Sequence, residues 1–212
     1  MTKLITSGIA PSAMVAAAVA LMGGPGLAAP GNDSNTQVAR LYELQAAFHA
    51  ALSVRDPVNG DSAPVITQRI RDALSLWTDD GLFTLSVPIP AIAGNYVGNG
   101  DPDDPLTCPT LSTDPSTRGT LCTLFKYVSA VFQPANKIVT LAPAYLTHFD
   151  VHGDTATVRF QNHFFNVAPG ADGNPLWMSR GHQVFQGTAR KVDGRWLFAQ
   201  SDVTLTTQVP TP

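Results

Sequence analysis

The order of hydrophobic patterns along the chain predicts an α+β fold. Helical periodicity dominates up to about residue 132, and runs rich in β-branched and aromatic residues fill the remainder. Strands and helices do not alternate as they do in a parallel α/β sheet. The 212 residues are 44% apolar and 14% charged, which is typical of a globular domain with a sizeable core.

The first 28 residues have the pattern of a secretory signal peptide. Lys3 supplies the positive charge, residues 13–22 are apolar, and small residues lead up to Ala28. The alternative is a membrane anchor, but an apolar run of about ten residues is half of what a spanning helix needs. We therefore predict a secreted or periplasmic protein without a membrane span, and a single domain over residues 29–212.

The chain has two cysteines, Cys108 and Cys122, and export would place them in an oxidising compartment. An oxidising compartment favours pairing them, and no motif supports the alternative of a catalytic thiol. We therefore predict one disulfide. It lies beside residues 88–118, a stretch rich in proline, glycine and aspartate that we interpret as an insertion forming a tethered lid.

Three helices are predicted. The first spans residues 34–56. The second begins near Pro64, ends at residues 79–81, and is expected to bury Ile66, Ile70, Leu74 and Trp77. The third begins at Leu121 and ends before Pro134. The first carries its apolar and semi-polar residues at spacings of three and four, which places them on one stripe: Val38, Leu41, Tyr42, Gln45, Phe48, His49 and Leu52.

The predicted strands follow the second and third helices. A short strand covers residues 82–87, and longer ones cover 138–151, 155–167, 176–192 and 196–206. Turns at 152–154 and 193–194 indicate hairpins, so these long strands are expected to be antiparallel. Pro143 indicates a bulge or a sheet edge within the first of them.

Three short stretches resemble the SnoaL-like branch of the nuclear-transport-factor-two-like superfamily. They are FHAAL at 48–52, WTDDGLF at 77–83, and VHGDTATV at 151–158 followed by DGRW at 193–196. The resemblance spans about residues 36–206 without the insertion. It implies three N-terminal helices packed in a strongly curved, mixed, mainly antiparallel sheet. This cone or half-barrel has an apolar pocket at its mouth, and such domains often form homodimers that pack sheet against sheet.

The superfamily contains both enzymes and non-catalytic proteins, so the fold alone does not give the function. The isomerase branch has a helix tyrosine where this chain has Phe48, and a strand carboxylate where it has Leu85 or Ser86. The resemblance therefore argues against an isomerase of that kind. The scytalone-dehydratase branch has two histidines on its strands. In this chain His163 lies near the position of one of them, and Ile138 or Val139 occupies the position of the other.

Candidate catalytic residues lie on the first helix and at the turn after the second. Tyr42 and His49 are seven residues apart on one stripe, where a phenol and an imidazole can polarise a carbonyl or move a proton. Asp80 becomes a base if Trp77 and Phe83 desolvate it and raise its pKa. The alternatives are satisfied core residues for the first pair and ordinary turn chemistry for Asp79 and Asp80.

Two strand histidines complete the candidates. His163 and His182 lie within long strands, and bulges decide whether each faces the pocket or a dimer partner. We select His49, Asp80 and His163 as catalytic residues and Tyr42 as a hydrogen-bond donor. Aromatic side chains are expected to line the core or the substrate pocket: Phe48, Trp77, Phe83, Trp177, Phe185 and Trp196.

Charge and missing motifs exclude several function classes. The formal charge is −3 without a basic run, so nucleic acid is not an expected partner. Phosphate-binding, serine-hydrolase, zinc-protease and dinucleotide motifs are missing from the sequence, so no cofactor is expected. Histidine and aspartate alternate at His148, Asp150, His152 and Asp154, and residues 101–104 form an acidic loop. Both stretches are better explained as solvated surface than as metal sites.

The sequence thus predicts an exported protein that binds a small apolar ligand. If it is an enzyme, the chemistry is cofactor-free acid–base catalysis on an apolar carbonyl compound, of the dehydratase, cyclase or isomerase type. The alternative is a secreted ligand-binding or oligomerisation module without turnover.

Overall fold

In the computed structural model, residues 32–212 form one compact unit. The structure describes residues 34–53, 61–87, 94–104, 108, 111–112, 114, 116–132, 138–141, 144–169 and 175–208. It describes only the backbone of 138–141, 165–169, 175–180 and 207–208. The predicted signal peptide lies outside the described residues.

The described residues form three α-helices: α1 (Ser34–Leu52), α2 (Ala63–Leu74) and α3 (Leu121–Val131). Thr120 caps α3 by accepting a hydrogen bond from the Cys122 backbone N–H. Two of the helices precede the first strand, whereas α3 follows it, so the expectation of three N-terminal helices is correct only for α1 and α2. Within the described part of the chain, no helix has the length and hydropathy needed to cross a membrane.

Helix α2 ends earlier than predicted. Trp77 was expected on its buried side, but it begins the first strand, where it pairs with Phe198. The Leu76 carbonyl accepts a 2.8 Å hydrogen bond from the Phe198 backbone N–H, which fixes this segment to the sheet. The helical spacing of Ile70, Leu74 and Trp77 was therefore overridden by strand pairing.

The main sheet has six strands: β1 (Trp77–Ser86), β4 (Ile138–Leu141), β5 (Leu146–His152), β6 (Thr155–Pro169), β7 (Pro175–Val192) and β8 (Arg195–Gln208). Their order is β1-β8-β7-β6-β4, and β5 also pairs with β6. The β1–β8 pair is parallel and the remaining pairs are antiparallel, which confirms a mixed, mainly antiparallel sheet. A separate small sheet joins β2 (Asn95–Tyr96) to β3 (Leu111–Ser112).

The strand predicted over 138–151 is in fact two strands. β5 pairs with β6 from Thr155 to Gln161, and β4 pairs with β6 further along, from Phe164 to Asn166. Both therefore lie on the same edge of β6. The register of several pairs shifts, including β6–β7 and β7–β8, and such bulges bend a sheet.

The two faces of β6 and β7 differ in exposure. Buried side chains alternate along β6 from Ala156 to Phe164, and Gln183 and Phe185 are their counterparts on β7. We call this side the inner face, because the helices pack on it, and the opposite side the outer face. At Gly181 a Cβ atom would lie 2.6 Å from the Phe164 ring and 2.1 Å from the Thr206 carbonyl oxygen, so only glycine fits there.

The predicted disulfide between Cys108 and Cys122 is confirmed. Both cysteines are buried, and Cys122 lies in the first turn of α3, so the bond fastens the insertion to that helix. An ion pair between Arg71 and Asp103 adds a contact from the insertion to α2. The described part of the insertion is thus tethered to two helices.

Candidate functional site

A cluster of aromatic rings fills the space between α1 and the inner face. Phe48 is fully buried, and its ring centroid lies 5.5 Å from that of Phe185 and 5.9 Å from that of Phe160. Phe160 and Phe185 face each other across β6 and β7 and stack at 4.4 Å. Phe83 is also fully buried and stacks on Tyr127 of α3 at 5.9 Å.

The tryptophans of the predicted lining belong to the same core. The Trp77 indole donates a 3.1 Å hydrogen bond to the Ser201 hydroxyl, and the Trp196 indole donates a 2.9 Å bond to the Gln37 side-chain carbonyl. Both rings are buried with their N–H groups satisfied. The side chain of Trp177 lies outside the described residues.

Three buried polar side chains adjoin the aromatic cluster. Asn162 and Gln183 face each other across β6 and β7 on the inner face, and neither is exposed to solvent. The Gln183 amide N–H lies 3.4 Å from the Tyr127 hydroxyl and donates to it. We call Asn162, Gln183 and Tyr127 the inner polar cluster.

Several polar atoms of this cluster have no protein partner. Among the described residues, both polar atoms of Asn162 and the Gln183 carbonyl oxygen are buried without a hydrogen bond. Buried polar atoms are nearly always paired with protein or with an ordered molecule, because an unpaired one costs about 1–3 kcal/mol. An ordered water molecule or a bound ligand would satisfy these orphaned atoms.

His49 approaches the inner polar cluster along α1. The helix follows β5 and β6: Gln45 donates to the Thr147 hydroxyl, which lies opposite Phe160, and His49 packs edge-on against Phe160 at 5.6 Å. Asn162 is the next inner-face residue of β6 after Phe160. His49 therefore lies on the inner side of the sheet and contacts Phe160, one inner-face position before Asn162.

The His49 ring is neutral at physiological pH. Burial lowers its pKa to about 4, because the charged form loses its hydration. Its Nε2 atom is buried and has no hydrogen-bond partner among the described residues. Burial also raises the pKa of Tyr127, so that side chain stays protonated. All of these groups are uncharged near pH 7.

Asp80 does not lie with these groups. Its side chain is 70% exposed and forms a 2.6 Å ion pair with Arg190. Hydrogen bonding from Thr78 and from Arg190 lowers its pKa, so the raised pKa expected for a desolvated base is wrong. The physical reason is the irregular register of β1 between Trp77 and Leu82, which turns Asp80 away from the core.

His163 also lies apart from His49. It is an odd-numbered residue of β6, so it projects from the outer face, whereas Phe160 and the contacting His49 are on the inner side. Across the strands it faces His182, and the two rings are 4.4 Å apart. The structure therefore does not bring His49 and His163 together in a single acid–base site.

Tyr42 was expected on the buried stripe of α1 but lies beside it. Its side chain is 50% exposed, and its ring meets that of Phe149 on β5 edge-on at 4.9 Å. It lies nearly two helical turns before His49 and does not share a contact with it. The buried phenol on the inner side of the sheet is that of Tyr127 on α3, which contacts Gln183 and Phe83.

The sequence analysis missed Asn162, Gln183 and Tyr127. A sequence signal for Asn162 was present. Phe160, Asn162 and Phe164 are two residues apart, so on a strand the amide lies between two aromatic residues on the same face. An amide at a position otherwise filled by aromatics is a polar group in a core. The strand parity needed to recognise it came only with the structure.

Metal ligands do not gather at this site. The described residues contain no group of three or more His, Cys, Asp or Glu side chains placed to hold an ion. His152 instead lies 3.0 Å from the Asp150 carboxylate on an exposed strand end.

Solved structures share this architecture. A proposed scytalone dehydratase from Novosphingobium aromaticivorans aligns with a TM-score of 0.52 and 11% identity over 84% of this chain and 90% of its own. A proposed dehydratase of the NTF2-like family from Streptomyces avermitilis aligns with a TM-score of 0.51 and 14% identity over 81% and 98%. This chain has the NTF2-like fold. A hexachlorocyclohexane dehydrochlorinase, LinA type 2, aligns with a TM-score of 0.50 and 11% identity over 84% and 90%.

At these identities the likeness establishes the NTF2-like fold alone. No protein-family model matches the sequence, and no curated protein matches it either. Any function must therefore be argued from the inner polar cluster itself.

Proposed function

We propose that this NTF2-like protein binds a small, uncharged, largely apolar molecule at the inner polar cluster. The observation that carries the proposal is the pair of unpartnered polar atoms on the fully buried Asn162. Rings from Phe160 and Phe185 adjoin it, so a ligand that meets these groups needs an apolar body and one or two polar atoms. A charged ligand is disfavoured because the groups described there carry no compensating charge.

The cluster has the hydrogen-bonding groups that a carbonyl compound requires. Gln183 donates to the Tyr127 oxygen, which leaves the Tyr127 proton available to a ligand oxygen. The Asn162 amide N–H is a second donor. Two donors aimed at one oxygen stabilise the negative charge that develops when a carbonyl becomes an enolate.

Within this proposal His49 is the proton acceptor. Neutral Nε2 takes a proton from the carbon beside the carbonyl, and the electron pair of the broken C–H bond moves to the oxygen held by Tyr127 and Asn162. Return of the proton from His49 to another carbon completes an isomerisation. In a dehydration, the protonated His49 instead gives this proton to a hydroxyl on the next carbon, which leaves as water while the enolate electrons form the new C=C bond. No cofactor is needed for either outcome. Asp80 and His163 are omitted because they lie on exposed or outer positions.

Three related probes test the binding proposal: 1-tetralone, its hydrocarbon analogue tetralin, and the anion 1-naphthoate. We expect 1-tetralone to raise the melting temperature more than tetralin, and 1-naphthoate to leave it unchanged. Asn162→Leu should abolish the difference between the first two probes. The matched control, Gln161→Leu, alters the neighbouring residue on the outer face and should preserve it. If 1-tetralone still raises the melting temperature more than tetralin in Asn162→Leu, as it does in Gln161→Leu, the assignment of Asn162 to the ligand site is contradicted.

Catalysis is tested by exchange of the 1-tetralone α-protons for deuterium in D₂O, followed by NMR. We expect His49→Gln to slow protein-dependent exchange by about 100-fold or more, as for the loss of a general base. His163→Gln should leave the rate unchanged. Binding of 1-tetralone without any exchange would favour the alternative, a ligand-binding module without turnover, which the exposed position of Asp80 also supports.

We also infer that the protein is exported. The apolar segment at 13–22 and the small residues before position 28 support this, and the Cys108–Cys122 disulfide is compatible with an oxidising compartment. Amino-terminal sequencing of the protein recovered from the producing cells should begin at Ala29. A chain that retains Met1 in the reducing cytoplasm would contradict export.

A homodimer is the expected assembly, formed by the outer faces of two sheets. Thr157 and Thr188 lie opposite each other there and are exposed, so their small side chains allow close approach of a second copy. Light scattering should give twice the chain mass. Thr188→Arg should reduce it to a monomer, and a wild-type monomer at high concentration would contradict the dimer.

A further inference from the structure

A second cluster of nitrogen and oxygen groups lies on the outer face of the sheet. His163 and His182 are direct cross-strand partners, with ring centroids 4.4 Å apart. Tyr145 stacks on the His163 ring at 4.9 Å, and its hydroxyl lies 3.1 Å from His182 Nδ1. The Tyr145 hydroxyl also lies 3.3 Å from the Gln161 side-chain carbonyl, to which it donates.

The hydrogen bonds of Tyr145 favour one tautomer of His182. With the Tyr145 proton donated to Gln161, the Tyr145 oxygen can accept from His182, and Nδ1 then carries the imidazole proton. The lone pair is left on Nε2, for which no partner occurs among the described residues. A histidine whose one ring nitrogen is held by a hydrogen bond and whose other nitrogen is free is the usual form of a metal ligand.

We propose that His163 and His182 form a surface site for one divalent transition-metal ion, Zn²⁺ or Cu²⁺. Imidazole suits both ions, and two nitrogens that share a metal lie roughly 3 Å apart, since each bond is about 2.1 Å long. Ring centroids 4.4 Å apart on adjacent strands bring the two imidazoles close enough for one nitrogen of each to reach the same ion. Water completes the coordination, because the described residues contain no third clustered ligand of the His, Cys, Asp or Glu type.

The site is distinct from the inner polar cluster. It lies on the opposite side of β6 and β7. His182 is six residues along β7 from Thr188, and His163 is six residues along β6 from Thr157, where the dimer contact is expected. A bound ion would link β6 to β7 in the folded state only, and so would stabilise the fold.

Calorimetric titration of the untagged, metal-free protein with ZnCl₂ and with CuCl₂ tests the site. We expect one ion per chain with micromolar affinity, and tighter binding of Cu²⁺ than of Zn²⁺. His163→Gln and His182→Gln should each weaken binding by at least about tenfold. The matched control is His148→Gln, which removes an exposed histidine from β5 and should change nothing. Unaltered binding in the first two variants would overturn the proposal.

Electron paramagnetic resonance of the Cu²⁺ form gives a readout independent of stability. The spectrum should show two coupled nitrogens, and only one in His182→Gln. Tyr145→Phe keeps the ring that stacks on His163 but removes the hydroxyl, so it should weaken Cu²⁺ binding by about tenfold while retaining two nitrogens. A spectrum with nitrogens that persist in the double variant of both histidines would refute the site.

Discussion

The inner and outer faces of β6 and β7 are built from alternating residues of the same strands, yet they place similar side chains in opposite environments. Asn162 and Gln183 on the inner face are fully buried with unpartnered atoms, whereas Gln186 on the outer face is exposed to water. Residue type therefore does not distinguish a buried, unpartnered amide from a solvated one. Position on the strand does, because burial makes an unpaired polar atom costly.

Truncation of an inner-face ring should have the largest effect on stability. Phe185 is fully buried between Phe160 and Phe48, so Phe185→Ala should lower the free energy of unfolding by about 3–5 kcal/mol. Gln186→Ala, one residue along on the outer face, should change it by less than about 0.5 kcal/mol. Urea denaturation measures both, and equal effects would contradict the assignment of the faces.

Acid should destabilise the protein through His49. The unfolded chain has the ordinary pKa of 6.5, whereas the folded pKa is about 4, so the unfolded state binds more protons between these values. The contribution of neutral His49 to the free energy of unfolding is therefore complete above pH 6.5 and is lost as the pH drops towards 4. The loss is roughly 2–3 kcal/mol, given the partial exposure of the ring.

A variant of His49 tests this assignment. His49→Gln should flatten the dependence of unfolding free energy on pH between 6.5 and 4, because it removes the group whose pKa differs between the folded and unfolded states. A pH dependence that is unchanged in His49→Gln would contradict the neutral state of His49 in the folded protein.

Replacing the orphaned amide should make the protein more stable. Asn162→Leu removes two buried polar atoms that have no described partner, and we expect the free energy of unfolding to rise by about 1–2 kcal/mol. The gain should accompany the loss of 1-tetralone binding, because function and stability conflict at this position. A loss of stability on replacement would mean that Asn162 is satisfied in the folded protein.

Removing the exposed ion pair should matter least. Asp80→Asn breaks the contact with Arg190, and we expect a change below about 1 kcal/mol, because exposed pairs contribute little. Binding of 1-tetralone should be unchanged. A large loss of 1-tetralone binding would indicate that Asp80 belongs to the ligand site.

Several elements could be predicted from the sequence because their signals are local. The stripe of α1, the long strands of the second half and the pairing of Cys108 with Cys122 all depend on spacing or on residue counts. The end of α2 could not be predicted, because Trp77 fits a helical stripe and a strand equally well, and pairing with Phe198 decides between them.

The candidate site was predicted only in part. His49 lies on the partly buried side of α1, where the helical spacing placed it, and its catalytic role stays a prediction. The faces of His163 and Asp80 depend on strand parity and on a bulge that no local pattern reveals. The inner polar cluster joins α3 to two strands more than thirty residues away, so no sequence motif contains it.

Side-chain amide NMR tests most directly whether the inner face is the ligand site. On titration with 1-tetralone, the ¹⁵N–¹H signals of the Asn162 and Gln183 amides should shift, and those of Gln161 and Gln186 on the outer face should remain in place. Shifts confined to the outer-face amides, or saturable binding that moves neither inner-face amide, would contradict the account.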